Sequence, residues 1–169
     1  MSTQAGRRAT FVTFSAEVTG FTAFELEGTG QAEDYLKACD AVVGVRIVDE
    51  LLEVYGRLKA RLESDGSDGA RLMRHEILSH EKLGPVARNI IKLWYVGTWY
   101  ELPPAWSEAF GAREQNYAFV VSPSAYTEGL LWPAIGANPP GAKAPGFGSW
   151  AAPPRIPAVE DLSTVPGDL

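Results

Sequence analysis

The sequence predicts an all-α fold: a small bundle of about four helices over residues 1–102, then a long irregular arm rich in proline, glycine and aromatic residues over 103–169. Three observations carry this. Apolar residues in the first part recur every three or four positions, the helical period. Alternating strand patterning is scarce there. Of 12 prolines, 11 fall at or after Pro103, and the first 102 residues hold 27 charged side chains against 9 in the last 67.

The elements follow in order. Phe11, Phe14, Val18 and Phe21 share one helix face, which predicts a short core helix over 10–24 with Thr10 as N-cap. Gly28 and Gly30 mark a loop. A wide apolar stripe runs from Leu36 through Cys39, Val43, Ile47, Leu51, Val54 and Leu58 to Leu62. Gly44 in its middle predicts two helices with a bend between them. After the break Asp65-Gly66-Ser67-Asp68-Gly69, a third helix is expected over 70–80, with Asp68 as N-cap. A fourth begins near Leu83, where Pro85 is tolerated in the first turn. Tyr117-Ala118-Phe119-Val120-Val121 is a β-like run too short to make a sheet alone. Ser122-Pro123 is the signature of a short helix over about 123–131.

Composition excludes several classes. No apolar run of about 18 residues exists, so no membrane span is expected. The balance of 21 acidic to 15 basic side chains, net −6, argues against nucleic acid as the main partner. A single cysteine, Cys39, rules out an intrachain disulfide and a cysteine-rich zinc site, and its place on the apolar stripe marks it as a core residue. Arg7-Arg8 resembles the opening of a twin-arginine export signal, but the amphipathic stretch that follows carries Glu17 and is no apolar signal core. No export signal is therefore expected in the chain as it stands.

Self-sufficient chemistry is not indicated. His75-Glu76-Ile77-Leu78-Ser79-His80 is one residue too long for an HExxH zinc motif. On a regular helix of about 3.6 residues per turn its histidines stand about 140° apart in projection. Neither GxGxxG after a strand nor GxxxxGK[ST] occurs, and Ser122 and Ser124 show no local base. No catalytic, cofactor-binding or metal-binding residue is assigned.

What stands out is aromatic content. All five tryptophans lie between 94 and 150, and the C-terminal segment runs through Pro139-Pro140-Gly141, Phe147, Trp150 and Pro153-Pro154-Arg155. A solvated linker is richer in charge and poorer in Trp and Phe. Such aromatics either fold back on their own domain or anchor a partner, and Trp, Tyr and Arg are frequent interface hot spots. The candidate partner-binding residues are Trp94, Tyr95, Trp99, Tyr100, Trp106, Trp132, Phe147, Trp150 and Arg155.

Four segments together resemble a known family. They are the helix carrying Phe11 to Phe24, the aromatic helix end Leu93-Trp94-Tyr95-Val96-Gly97, the segment Ala125-Tyr126-Thr127-Glu128-Gly129-Leu130-Leu131-Trp132, and the tail Pro139 to Phe147 with Trp150. Over roughly residues 10–157 the chain resembles the small subunit of bacterial FAD-dependent sugar and polyol dehydrogenases, the sorbitol, fructose, glucose and glucoside dehydrogenases. The most specific part is the tail, where the family carries a Lys-Pro-Gly-Phe-Trp-like element; here Gly148-Ser149 separate Phe147 from Trp150.

The resemblance implies a non-catalytic chain that binds no flavin itself. Its partner would be a large FAD-containing subunit of the glucose-methanol-choline type, with an iron–sulfur cluster in some members and a c-type cytochrome as a frequent electron acceptor. It implies a role in maturation, stability and often export of that subunit, and a periplasmic location; with no signal in the chain, a cytoplasmic one is the alternative. Two other readings stand beside it: a free-standing helical adaptor using its aromatic tail, and a small metal enzyme built on His75, Glu76 and His80.

Overall fold

The computed structural model describes residues 4–65 and 68–142. The first helix, α1 (Gln4–Thr19), starts a turn and a half before the predicted Thr10 cap. Thr10 lies inside it, its hydroxyl donating back to the Gly6 carbonyl at 3.0 Å. The predicted helix over 10–24 is in fact two. The chain turns at Gly20 (φ +78°), and a capping box of Thr22 and Glu25 starts α2 (Ala23–Gly28). The Thr22-x-x-Glu25 spacing is a readable N-terminal signal.

The bend at Gly44 is present. It separates α3 (Ala32–Val43) from α4 (Val45–Asp65) and sits at φ +86°, where a side chain would be strained. Arg7 of α1 grips both sides of this break. Its guanidinium donates to both Asp40 oxygens at 2.6 and 2.7 Å, and also to Asp49. The Asp40 hydrogen bond holds the guanidinium charged well above its ordinary range, against the opposing effect of partial burial. Arg8 pairs with Glu27 at the end of α2. The two arginines that looked like an export motif thus tie α1 to its neighbours.

Asp68 caps α5 (Gly69–Met73) as predicted, accepting from the Arg71 N–H at 3.2 Å. The expected third helix does not continue as a regular α-helix. Residues Arg74–Leu78 form a π-helical turn, and Arg88 donates to the Leu78 carbonyl at 2.7 Å. Helix α6 (Leu83–Val96) then runs through the centre, burying Val86, Ile90, Leu93 and Trp94. Trp94 lies against Phe11 of α1 (centroids 6.4 Å apart) and meets Tyr35 of α3 in a T-shaped contact, centroids 4.9 Å apart.

Beyond α6 the chain is more ordered than predicted. Strand β1 (Thr98–Trp99) pairs antiparallel with β2 (Phe119–Val120), Thr98 opposite Val120. Between them lies α7 (Pro104–Phe110), with proline in its first turn. The single helix expected over 123–131 is split into α8 (Pro123–Thr127) and α9 (Leu131–Ala134). The count of about four helices was too low. Leu102, Trp106, Ala125 and Leu130 join the same buried cluster as the first helices, so the core runs across residue 102.

Two stability outcomes are expected. Arg7→Ala strands Asp40 and Asp49 at the α3–α4 break and should lower unfolding free energy by about 1–3 kcal/mol, read as a fall in denaturant midpoint; an unchanged midpoint contradicts the clamp. The second concerns alkali. Burial raises the Tyr35 phenol above its ordinary range and pushes Tyr55 up to about 12. Tyrosines of the unfolded chain ionise near about 10. The folded state therefore keeps protons that the unfolded state loses. Stability present below pH ~10 should fall as pH rises toward ~12. Tyr55→Phe should flatten that decline, and an equally steep one in the variant contradicts the assignment.

Candidate partner-binding surface

The C-terminal end of α6 organises everything that follows it. Gly97 closes the helix in the left-handed region at φ +65°. A Cβ there would lie 2.6 Å from the Ala125 carbonyl carbon. Gly129 makes the reciprocal approach, where a Cβ would fall 2.7 Å from the Tyr95 oxygen. With both side chains absent, backbone meets backbone. The Leu130 N–H donates to the Trp94 carbonyl at 2.9 Å, and the Val121 N–H to the Gly97 carbonyl at 3.0 Å. Carbonyls otherwise left open at a helix end are thereby satisfied by the later segment.

Helix α8 is held onto this platform by its own cap. Ser122 Oγ accepts from the Ala125 N–H at 3.0 Å. Tyr126 and Trp132 meet edge-to-face at 5.4 Å, and Trp132 Nε1 donates to the Tyr126 carbonyl at 2.8 Å. The chain then folds back, the Ala137 N–H donating to the Trp132 carbonyl. On the other side Tyr95 donates its hydroxyl to the Thr19 carbonyl at 2.9 Å, and its ring meets Phe21 at 6.0 Å.

A surface groove of about 440 Å³ results between α2 and the α8–α9 segment. Phe21, Leu130, Trp132 and Pro133 supply apolar wall, and Glu25 and Glu128 supply the charge. Phe24, next to Glu25 on α2, is 87% exposed, and Ile135, just past α9, is 60% exposed.

The predicted binding residues divide sharply. Trp94, Trp99 and Trp106 do not present themselves to a partner: all three are buried in the chain's own core. This corrects the expectation for them, and the reason is local. Each lies within a helix or strand, on α6, β1 and α7 in turn, whose buried face it completes, and Trp106 Nε1 donates to the Lys82 carbonyl at 2.8 Å. Tyr95 and Trp132 are half-buried. Tyr100 is exposed, with Lys92 Nζ 4.6 Å from its ring centre. Phe147, Trp150 and Arg155 lie outside the described residues. Sequence reasoning missed Phe24, which it counted on a core helix; the capping box before it, which turns the chain, is the signal that separates it from α1.

The histidine pair is not on a regular helix either. His75 sits on the π-helical turn and is exposed beside Glu76 at 3.5 Å. His80 lies beyond that turn, its Nδ1 accepting from the Lys82 and Leu83 N–H groups at 3.1 and 3.3 Å. Its ring nitrogen is thus taken up by backbone at the start of α6. Among the described residues no group of three or more His, Cys, Asp and Glu side chains is gathered to hold a metal. Cys39 is a buried free thiol whose pKa burial drives far above the ordinary range. No helix among the described residues is long and apolar enough to cross a membrane. Comparison with protein-family models, curated proteins and solved structures finds no match.

Gly97→Ala should both strain the helix end and drive a methyl into Ala125, with a loss of about 2 kcal/mol or more. Gly111→Ala is the control: it shares the left-handed backbone (φ +79°) but meets nothing within 4 Å. Its loss should stay near about 1 kcal/mol. Equal melting temperatures for the two variants would show that the close approach at Ala125 carries no weight.

Proposed function

We propose that this chain is the non-catalytic small subunit of an FAD-dependent sugar or glucoside dehydrogenase. In this reading it binds, stabilises and matures a large flavin-bearing catalytic subunit of the glucose-methanol-choline type. FAD, and in some complexes an iron–sulfur cluster, belong to that partner, as does the oxidation of a sugar CH–OH group. A c-type cytochrome is the natural electron acceptor and the periplasm the natural compartment. The observation that carries the reading is the tail: Pro139 to Phe147 with Trp150, joined to the Ala125 to Trp132 segment, resembles that family's small subunit. The exposed Phe24 on α2, Tyr126 on α8 and Ile135 just past α9 support it, since an isolated chain gains nothing by leaving them in water.

The physical role is linkage. A chain that binds only the folded form of its partner stabilises it by mass action. Proline in the tail restricts the free segment and lowers the ordering cost on binding.

A second reading, a free-standing helical adaptor for some other protein, is favoured by one observation. Trp94, Trp99 and Trp106 are already buried, so the helical unit completes its core without help.

Co-expression separates the two. With the large flavoprotein of the same host, this chain should raise that protein's soluble, flavin-loaded yield; no change sinks the subunit reading. Phe147→Ala and Trp150→Ala should each weaken the complex by roughly 2–4 kcal/mol while leaving the helix signal of the isolated chain intact. A loss of helicity matching that of Leu51→Ala would place those aromatics in the chain's own packing instead.

A further inference from the structure

We propose that the outer edge of β2 pairs with the same edge of a second copy of this chain, joining the two small sheets into one about a twofold axis at Phe119. The contact neither needs nor excludes the small-subunit role.

Register decides which backbone groups are free. Thr98 stands opposite Val120, and Trp99 opposite Phe119. The Val121 N–H donates to the Gly97 carbonyl at 3.0 Å, so Gly97 and Val121 form a hydrogen-bonded pair in step with the strands. Such pairs alternate along an antiparallel ladder. Trp99 and Phe119 are therefore the next bonded pair, and Thr98 and Val120 are not. It follows that the Val120 N–H and C=O point away from β1, toward the outer edge. No backbone hydrogen bond ties Ala118 or Val120 to another described residue. Both residues are exposed, Val120 by 56%. An edge open in this way is a template for another strand.

The sequence that best fits this edge is its own. Tyr117-Ala118-Phe119-Val120-Val121 holds no charge and no proline, and no charged side chain occurs from Gln115 to Thr127. Antiparallel pairing about Phe119 sets Val120 opposite Ala118 of the other copy on both sides of the axis, a large residue beside a small one. These are the pairs that exchange both N–H···O=C bonds. The two Phe119 side chains then face each other, and Tyr117 stands opposite Val121; aromatic and β-branched pairs of this kind stabilise sheets. With a net charge of −6, two copies repel at long range, but along this stretch they meet with no like charges opposed. A strand of a different protein would use the same backbone groups, but only a second copy brings the matching register by symmetry. Joining also widens a sheet whose two-residue strands are short on their own.

The full chain is followed by sedimentation and by amide hydrogen exchange from dilute solution up to ~0.5 mM, where a weak, transient interface is populated. A monomer–dimer equilibrium is expected. With it, exchange of the Ala118 and Val120 amides should slow by about tenfold or more as concentration rises, while that of Phe119, already within the β1–β2 pair, should change little. Val120→Pro removes only the outward N–H and should abolish the dimer. Should that variant lose its helix signal in circular dichroism, paired charges give the second reading. Ala118→Glu and Val120→Lys, each acting twice in the dimer, should weaken it about tenfold. The double variant sets opposite charges across both pairs and should recover to within about threefold of the unaltered chain. Several results overturn the proposal: a chain monomeric throughout, a dimer unmoved by Val120→Pro, or a dimer whose Val120 amide stays unprotected. So do a double variant no tighter than the single ones, and protection of Val120 that arises only when a different protein is added.

Discussion

Trp94, with Tyr95 beside it and Gly97 at the end of its helix, holds the molecule together. Its ring is the meeting point of α1, α3 and α6, through Phe11 and Tyr35. Its carbonyl is also where Leu130 fastens the α8–α9 segment. One residue on, Tyr95 ties the end of α1 through Thr19, and three on, Gly97 lets α8 come to van der Waals distance. The side chain builds the helical core, and the backbone beside it receives the later layer. Disturbing this helix end therefore affects both the bundle and the surface that α8 and α9 present.

The same constraint explains why the chain after residue 102 is not a free extension. Short elements such as a two-residue strand pair or a five-residue helix have little stability of their own. Here they are held by side chains that substitute for regular ladders. Asn89 bridges the Tyr100 backbone with both its amide groups, at 2.8 and 3.2 Å, and Asn116 does the same for Leu102 at 2.8 and 3.2 Å. Aromatic rings then fill the space between them, as Trp99 and Trp106 do. Phe24, Tyr126 and Ile135 stay exposed after this packing.

Much of the helical part was legible because it depends on local rules. The stripe from Leu36 to Leu62, the break at Gly44, the Asp68 cap and the start near Leu83 all follow from period, glycine and capping chemistry, and all are present. What was illegible depends on contacts between distant residues. Nothing near Thr10 says that α1 will extend back to Gln4 and bring Arg7 onto Asp40 and Asp49. Nothing near Gly129 says that Tyr95 will stand against it and split the helix predicted over 123–131. At the π-helical turn Arg74–Leu78, the Leu78 carbonyl lies where a Cβ on Gly84 would fall 2.5 Å from it, a second close approach between residues distant in the chain. For the candidate surface, residue type alone could not sort buried from exposed aromatics. Trp94 and Tyr100 look alike in the sequence, and only the fold separates them.

The proposed small-subunit role rests on a folded helical unit that buries three of its tryptophans and continues into a proline-rich segment. The most direct measurement is to recover the tagged chain from its own host and record the visible spectrum of what comes with it. The account predicts a second, larger chain with oxidised flavin absorption in the blue, bleached by a sugar. A colourless eluate containing this chain alone would contradict it.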